Sequence, residues 1–365
     1  MLRIPSERWK QGSEFHLMSC PNEAETEFPW DTDGVLFGSG RDALRGLLMF
    51  GQKELGWQRL LIPSYFCQDV ASSLLSTGVR IEVYPDGPDL PAPVFDSIGF
   101  QRGDAILIMN YFGLRSEPSY DLLPRDTIAI IENHTHDPLS GWARKSRADW
   151  CVVSLRKVLP VPDGAVLWSP TGRRLPPEPV LTDERRQAAL EKLAAMSLKA
   201  LYLEGLYDNK EIFRQLAISG NRQIARGEVS GMSGWSRTLL RTFPLLSWRR
   251  LRKENHQKLS AALSGIPWLK ILQPPDGVDA VPFSGVLLFD TLGRRDYVRE
   301  QLINEQVYPA ILWSLESPVV PDILSENIEF SRRMLSIHCD MRYSYQDMEK
   351  VTGIIRRAGE EFGNG

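Results

Sequence analysis

Lys157 stands among apolar residues directly after the strand-like run 150–154, in Leu155-Arg156-Lys157-Val158-Leu159-Pro160-Val161-Pro162-Asp163-Gly164. Desolvation there lowers an amine's pKa and leaves it nucleophilic toward a carbonyl. Four other groups of residues fall at the ends of apolar runs. Gly38-Ser39-Gly40-Arg41-Asp42 lies between a strand-like run and a helix, where free N–H groups and the helix dipole suit a phosphate. Pro63-Ser64-Tyr65-Phe66-Cys67 offers aromatic rings to a flat heteroaromatic group, or to the core. Asn110-Tyr111-Phe112-Gly113 reads as a turn. Glu132-Asn133-His134-Thr135-His136 places polar groups at a strand tip. A metal held by His134 and His136 competes with a site of another kind, but no third ligand at matching spacing supports it.

In an open α/β sheet, ligands bind beyond the carboxyl ends of the strands. The elements that must position these residues are brief, bounded apolar runs at 60–62, 80–83, 105–109, 128–131 and 150–154. They read as buried parallel strands alternating with helices at 41–50 and 70–75. Residues 182–206 and the segment through 263 read as helical, with a loop near 227–234. Strands at 285–289 and 334–338, with helices at 294–305 and 345–357, form a smaller α+β unit. The expected division is an N-terminal segment 1–28, a large α/β domain 29–262 and a small domain 263–365.

The chain has 365 residues and is 42% hydrophobic, with a formal charge of -3, which gives no electrostatic basis for nucleic-acid binding. The basic run Arg249, Arg250, Arg252, Lys253 reads as a solvated helix face. No stretch suits a signal peptide or a membrane span, so a cytoplasmic location with no membrane partner is expected. Cys20, Cys67, Cys151 and Cys339 are too widely spaced for a disulfide framework or zinc site and read as reduced thiols.

Taken in order, the phosphate turn, the aromatic after a strand, the Asn-Tyr-Phe-Gly turn, the Glu-Asn-x-x-His tip and the lysine before Asp163-Gly164 resemble the DegT-type sugar aminotransferases. These are fold-type I pyridoxal-phosphate proteins, with a mainly parallel sheet in the large domain and a small C-terminal α+β domain. The resemblance implies pyridoxal 5'-phosphate as cofactor, Lys157 as the Schiff-base lysine, and Ser39, Gly40, Arg41 and Asp42 around the phosphate. It puts Tyr65 or Phe66 on one face of the pyridine ring, His136 near the ring and Ser154 on the phosphate side. It also implies a homodimer, a nucleotide-linked keto-sugar as substrate and glutamate as amino donor.

Two positions depart from the family pattern. Asn133 stands where the family has the aspartate that keeps the pyridine nitrogen protonated, and the Ser154 to Lys157 spacing is short. Glu132 cannot replace that aspartate, because adjacent strand residues face opposite ways. Two further readings therefore stand beside transamination: another reaction on the same cofactor, such as elimination, and a non-catalytic homologue that binds cofactor or a partner.

Overall fold

The computed structural model describes residues 8–12, 14–18 and 34–364. Strand β1 (Gln11–Gly12) comes first, and β2 (Gly34–Phe37) leads into α1 (Gly40–Leu55). There follow β3 (Arg59–Pro63), α2 (Gln68–Leu75), β4 (Arg80–Tyr84), β5 (Asp104–Met109), β6 (Ala129–Asn133), the single turn α3 (Gly141–Arg144), β7 (Trp150–Ser154) and β8 (Ala165–Trp168). Helices α4 (Asp183–Leu203), α5 (Lys210–Arg226), α6 (Gly234–Leu240) and α7 (Leu245–Leu263) lead to β9 (Leu269–Ile271), β10 (Gly285–Phe289) and α8 (Leu292–Asn304). The chain closes with β11 (Val307–Tyr308), α9 (Ser325–Arg333), β12 (Met334–Ile337) and α10 (Tyr345–Asn364).

Seven strands form one sheet in the order β2-β8-β7-β6-β5-β3-β4, in which β8 alone runs against the rest. Every residue of β3 and β5 is buried, because layers cover both faces and no polar side need alternate. The side chains still divide by period two. Leu60, Ile62, Ala105, Leu107 and Ile131 pack with α1 and α2, while Leu61, Ile106, Ile108, Ile130 and Val153 enter a second core on the opposite face. Each such leucine, isoleucine or valine contributes about 1.5–3 kcal/mol on burial. The same alternation sends Asn133 and Glu132 to opposite faces of β6.

The small unit is an antiparallel sheet, β12-β10-β9, packed with α7, α8 and α10. The parallel pair β1–β11 ties the N-terminal segment to it. The expected boundary at 262/263 falls in the last turn of α7. Leu245 and Trp248 at the start of this helix lie in a large-domain core, and Leu259 and Leu263 at its end lie in the small-domain core. Helix α7 therefore bridges the two units. Among the described residues, no helix is long and apolar enough to cross a membrane.

Candidate functional site

The parallel strands bring their carboxyl ends to one edge of the sheet, where a cavity of about 130 Å3 lies. Its wall includes Ser39, Gly40, Arg41, Phe66, Asn133, His136, Ser154 and Lys157. At one end is the start of α1. Ser39 caps the helix: its Oγ accepts from the Asp42 N–H at 3.2 Å and donates to the Asp42 carboxylate at 2.9 Å. The Ala43 N–H is taken by the Ser39 carbonyl at 3.0 Å. That leaves the Gly40 and Arg41 N–H groups, at the positive end of the helix dipole, for a ligand. A Cβ on Gly40 would lie 2.9 Å from Ser154 Cβ, so only glycine lets α1 come this close to the end of β7.

Lys157 ends the single 3-10 turn Leu155–Lys157 that follows β7. Its side chain keeps solvent contact because it reaches into cavity space, yet it is surrounded by protein. Burial lowers its pKa. The nearby Cys67 thiol and Glu14 oppose that shift, and Arg156 and Arg41 reinforce it. The result is an amine that holds its proton less tightly than an ordinary lysine, beside a cationic helix start.

His136 is fully enclosed. Its Nδ1 accepts from the Phe112 N–H at 3.0 Å, so in the neutral ring the proton sits on Nε2. Burial, with Lys157 and Arg252 nearby, pushes its pKa down to about 3. The ring stacks on Phe112 and Trp313, with centroids 5.5 and 5.9 Å away. Asn133 ends β6, paired with Met109 and Val152, and both of these also line the cavity. Its Oδ1 accepts from the Thr135 N–H at 3.0 Å. With the oxygen so engaged, the NH2, a donor, is what this cavity-wall amide has left to offer.

No protein-family model matches the chain, and a search of curated proteins finds no match. Solved structures do match. A putative sugar aminotransferase from Streptococcus pneumoniae, Spr1654 in its PLP form, superposes with a TM-score of 0.62 at 12% identity, over 90% of this chain and 87% of its own. A DegT DnrJ EryC1 StrS aminotransferase from Brucella abortus gives 0.60 at 15% identity, over 89% and 85%. PseC of Helicobacter pylori, an aminotransferase of pseudoaminic acid biosynthesis, gives 0.60 at 13%, over 90% and 87%. The chain has the fold of the DegT-type sugar aminotransferases.

Within that fold, two expected contacts lie elsewhere. Tyr65 is fully buried behind the cavity wall, where its hydroxyl donates to the Leu312 carbonyl and its ring meets Phe330 edge-on, so of the two expected rings Phe66 is the one at the cavity. Asp42 also turns away: it is buried against Arg185 at 2.7 Å, and burial, opposed by that arginine, raises its pKa to about 6. The two histidines of the strand tip do not share a site. His134 faces the other side of the sheet with Glu132 and Cys151, whose ligand atoms lie within 4.8 Å of one another. Glu132 there accepts from Trp142 at 2.9 Å and Ser146 at 2.6 Å and is 2.8 Å from His134 Nε2, so its oxygens are already satisfied.

The basic run on α7 is also corrected. Arg250 and Lys253 are exposed, but Arg249 is half-buried against Asp137 and Asp279, and Arg252 faces inward. Sequence reasoning missed Thr135, whose Oγ1 accepts from the Ser154 N–H at 3.0 Å and links the β6 and β7 tips. It also missed Trp313 and Arg156 in the cavity wall. Arg156 adjoins the predicted lysine, whereas Trp313 sits in an irregular segment with no periodic signal.

Proposed function

We propose that this chain is a pyridoxal-phosphate-dependent aminotransferase acting on a nucleotide-linked keto-sugar, with glutamate as amino donor. It works as a cytoplasmic homodimer in this reading. The observation that carries the proposal is the shared cavity: a lysine with a lowered pKa, a glycine-tight helix N-terminus and a neutral histidine meet at one sheet edge. This donor set fits the cofactor. The Gly40 and Arg41 N–H groups and the Arg41 side chain suit its phosphate, Phe66 suits a ring face, and Lys157 suits its aldehyde.

When bound, the cofactor supplies a carbonyl for amine exchange and a ring that withdraws electrons from the reacting carbon. The chain's own residues do the rest. Lys157 acts as nucleophile and then moves the proton between Cα and C4′. Neutral His136 offers a fixed Nε2–H donor, its orientation locked by Phe112. Phe66 and Trp313 give the cavity around the amine an aromatic wall.

Asn133 favours a second reading, in which the chain binds the cofactor with altered or absent catalysis. Its amide carries no charge and presents a donor, so it suits an unprotonated pyridine nitrogen better than a protonated one. Absorbance separates the two. The proposal expects a visible band when pyridoxal phosphate is added to the full chain, and bleaching of that band by glutamate. A stable band that no amine donor alters supports the second reading, and no band in a folded protein refutes both.

A further inference from the structure

A second cavity of about 280 Å3 adjoins the first and shares Arg156 and Lys157 with it. Its wall carries the cations Arg156, Lys157, Lys192, Arg252 and Arg342 against two carboxylates, Glu14 and Asp340. Both carboxylates are engaged. Glu14 pairs with Lys192, and Asp340 holds Arg342 through two bonds of 2.8 Å. Arg156 and Arg252 have no carboxylate partner among the described residues. Arg156 donates to the Asn221 amide oxygen at 3.2 Å and Arg252 to the Val158 carbonyl at 3.3 Å, while the Nε of each has no partner.

Arg252 is only 5% exposed. Buried arginines elsewhere in this chain are neutralised: Arg59 by Asp104 and Glu82, Arg115 by Asp86. A buried guanidinium without a counter-ion lowers stability. Such a group is retained where a ligand completes it. Its position is also informative, because it lines the same cavity as Lys157.

We propose that Arg252, with Arg156 in the same cavity wall, receives a carboxylate of a small amino or keto acid in this second cavity. The planar fork of a guanidinium matches the two oxygens of a carboxylate. The volume suits the same ligand. It lies just below the roughly 300–1,000 Å3 of sites for drug-sized molecules, which is room enough for a five-carbon acid. The choice of acid rests on the aminotransferase reading; the anion site rests on the unpaired arginines.

The test is calorimetric titration of 2-oxoglutarate into the full chain as wild type, Arg252→Gln and Arg252→Lys, with uridine diphosphate as the second ligand. 2-Oxoglutarate has no amino group, so its binding is read without turnover. Whether the cofactor reading fails is seen separately in the absorbance of Lys157-bound cofactor. Arg252→Gln is expected to weaken 2-oxoglutarate about tenfold or more, the loss of a charge-assisted pair. Arg252→Lys recovers part of the affinity, keeping the charge without the fork. Removing this guanidinium orphans no carboxylate, so the melting temperature should not fall. Absence of 2-oxoglutarate binding to the wild type overturns the proposal, as does unchanged affinity in Arg252→Gln. A greater loss for uridine diphosphate than for 2-oxoglutarate overturns it in favour of a phosphate site. If Arg252→Gln does not fold, Arg252→Lys decides, and affinity equal to the wild type overturns the proposal.

Discussion

Replacing Asn133 with aspartate tests the electronic role of the strand tip. The Asn133 Oδ1 already accepts from the Thr135 N–H at 3.0 Å, and a carboxylate oxygen takes that bond unchanged. The second oxygen then replaces the NH2, so a donor facing the cavity becomes an anion. A well-placed opposite charge shifts a pKa by about 1–3 units, and each unit is about 1.4 kcal/mol. Holding the proton on the pyridine nitrogen by that much changes the stability of charge developing on the ring tens- to hundreds-fold. Asn133→Asp is therefore expected to speed the half-reaction with an amino donor at least several-fold. The assay is single-turnover loss of the cofactor's visible absorbance in both proteins, loaded to the same extent. A native protein as fast as the variant would mean that Asn133 does not meet the ring nitrogen or that the chemistry does not need the proton there. If both bind cofactor and neither reacts with any donor, the non-catalytic reading replaces transamination.

Gly40→Val is expected to weaken pyridoxal-phosphate binding more than Gly46→Val. The two are matched in crowding, since the added Cβ would lie 2.9 Å from Ser154 at Gly40 and 2.7 Å from Phe37 at Gly46, but only Gly40 lines the cavity; equal loss of affinity in two folded variants counts against the phosphate role. For His136 the folded-state pKa lies below the ordinary one, so its contribution to stability is complete above about pH 6.5 and is lost as pH falls toward 3. Between pH 8 and pH 5 that loss is about 2 kcal/mol. His136→Gln should therefore lose less stability over this interval in urea titrations, and equal losses in the two proteins would mean that His136 is not held neutral.

The sheet was legible because a buried parallel strand is a short apolar run with abrupt ends: the expected runs at 150–154 and 285–289 are β7 and β10 as observed. The run expected at 128–131 is displaced because Ile128 bonds back to the Pro124 carbonyl and Asn133 continues the ladder to Val152. Strands β9 and β11, three and two residues long, carry no period of their own and form by pairing with β10 and β1. The cavity lining was legible where a strand end fixed it, as at Asn133, Ser154 and Lys157. It was not legible at Tyr65 and Phe66, because strand alternation stops at Pro63 and the chain then turns, with the Ser64 N–H bonded to the Tyr84 carbonyl. A charge run on a helix conceals which residue turns inward, and so Arg252 passed as solvated.

The proposed attachment of the cofactor to Lys157 is tested by borohydride reduction of the cofactor-loaded chain followed by peptide mapping. Label is expected on Lys157 and on no other lysine. Label on a different lysine, or none on protein whose absorbance proves it loaded, contradicts it.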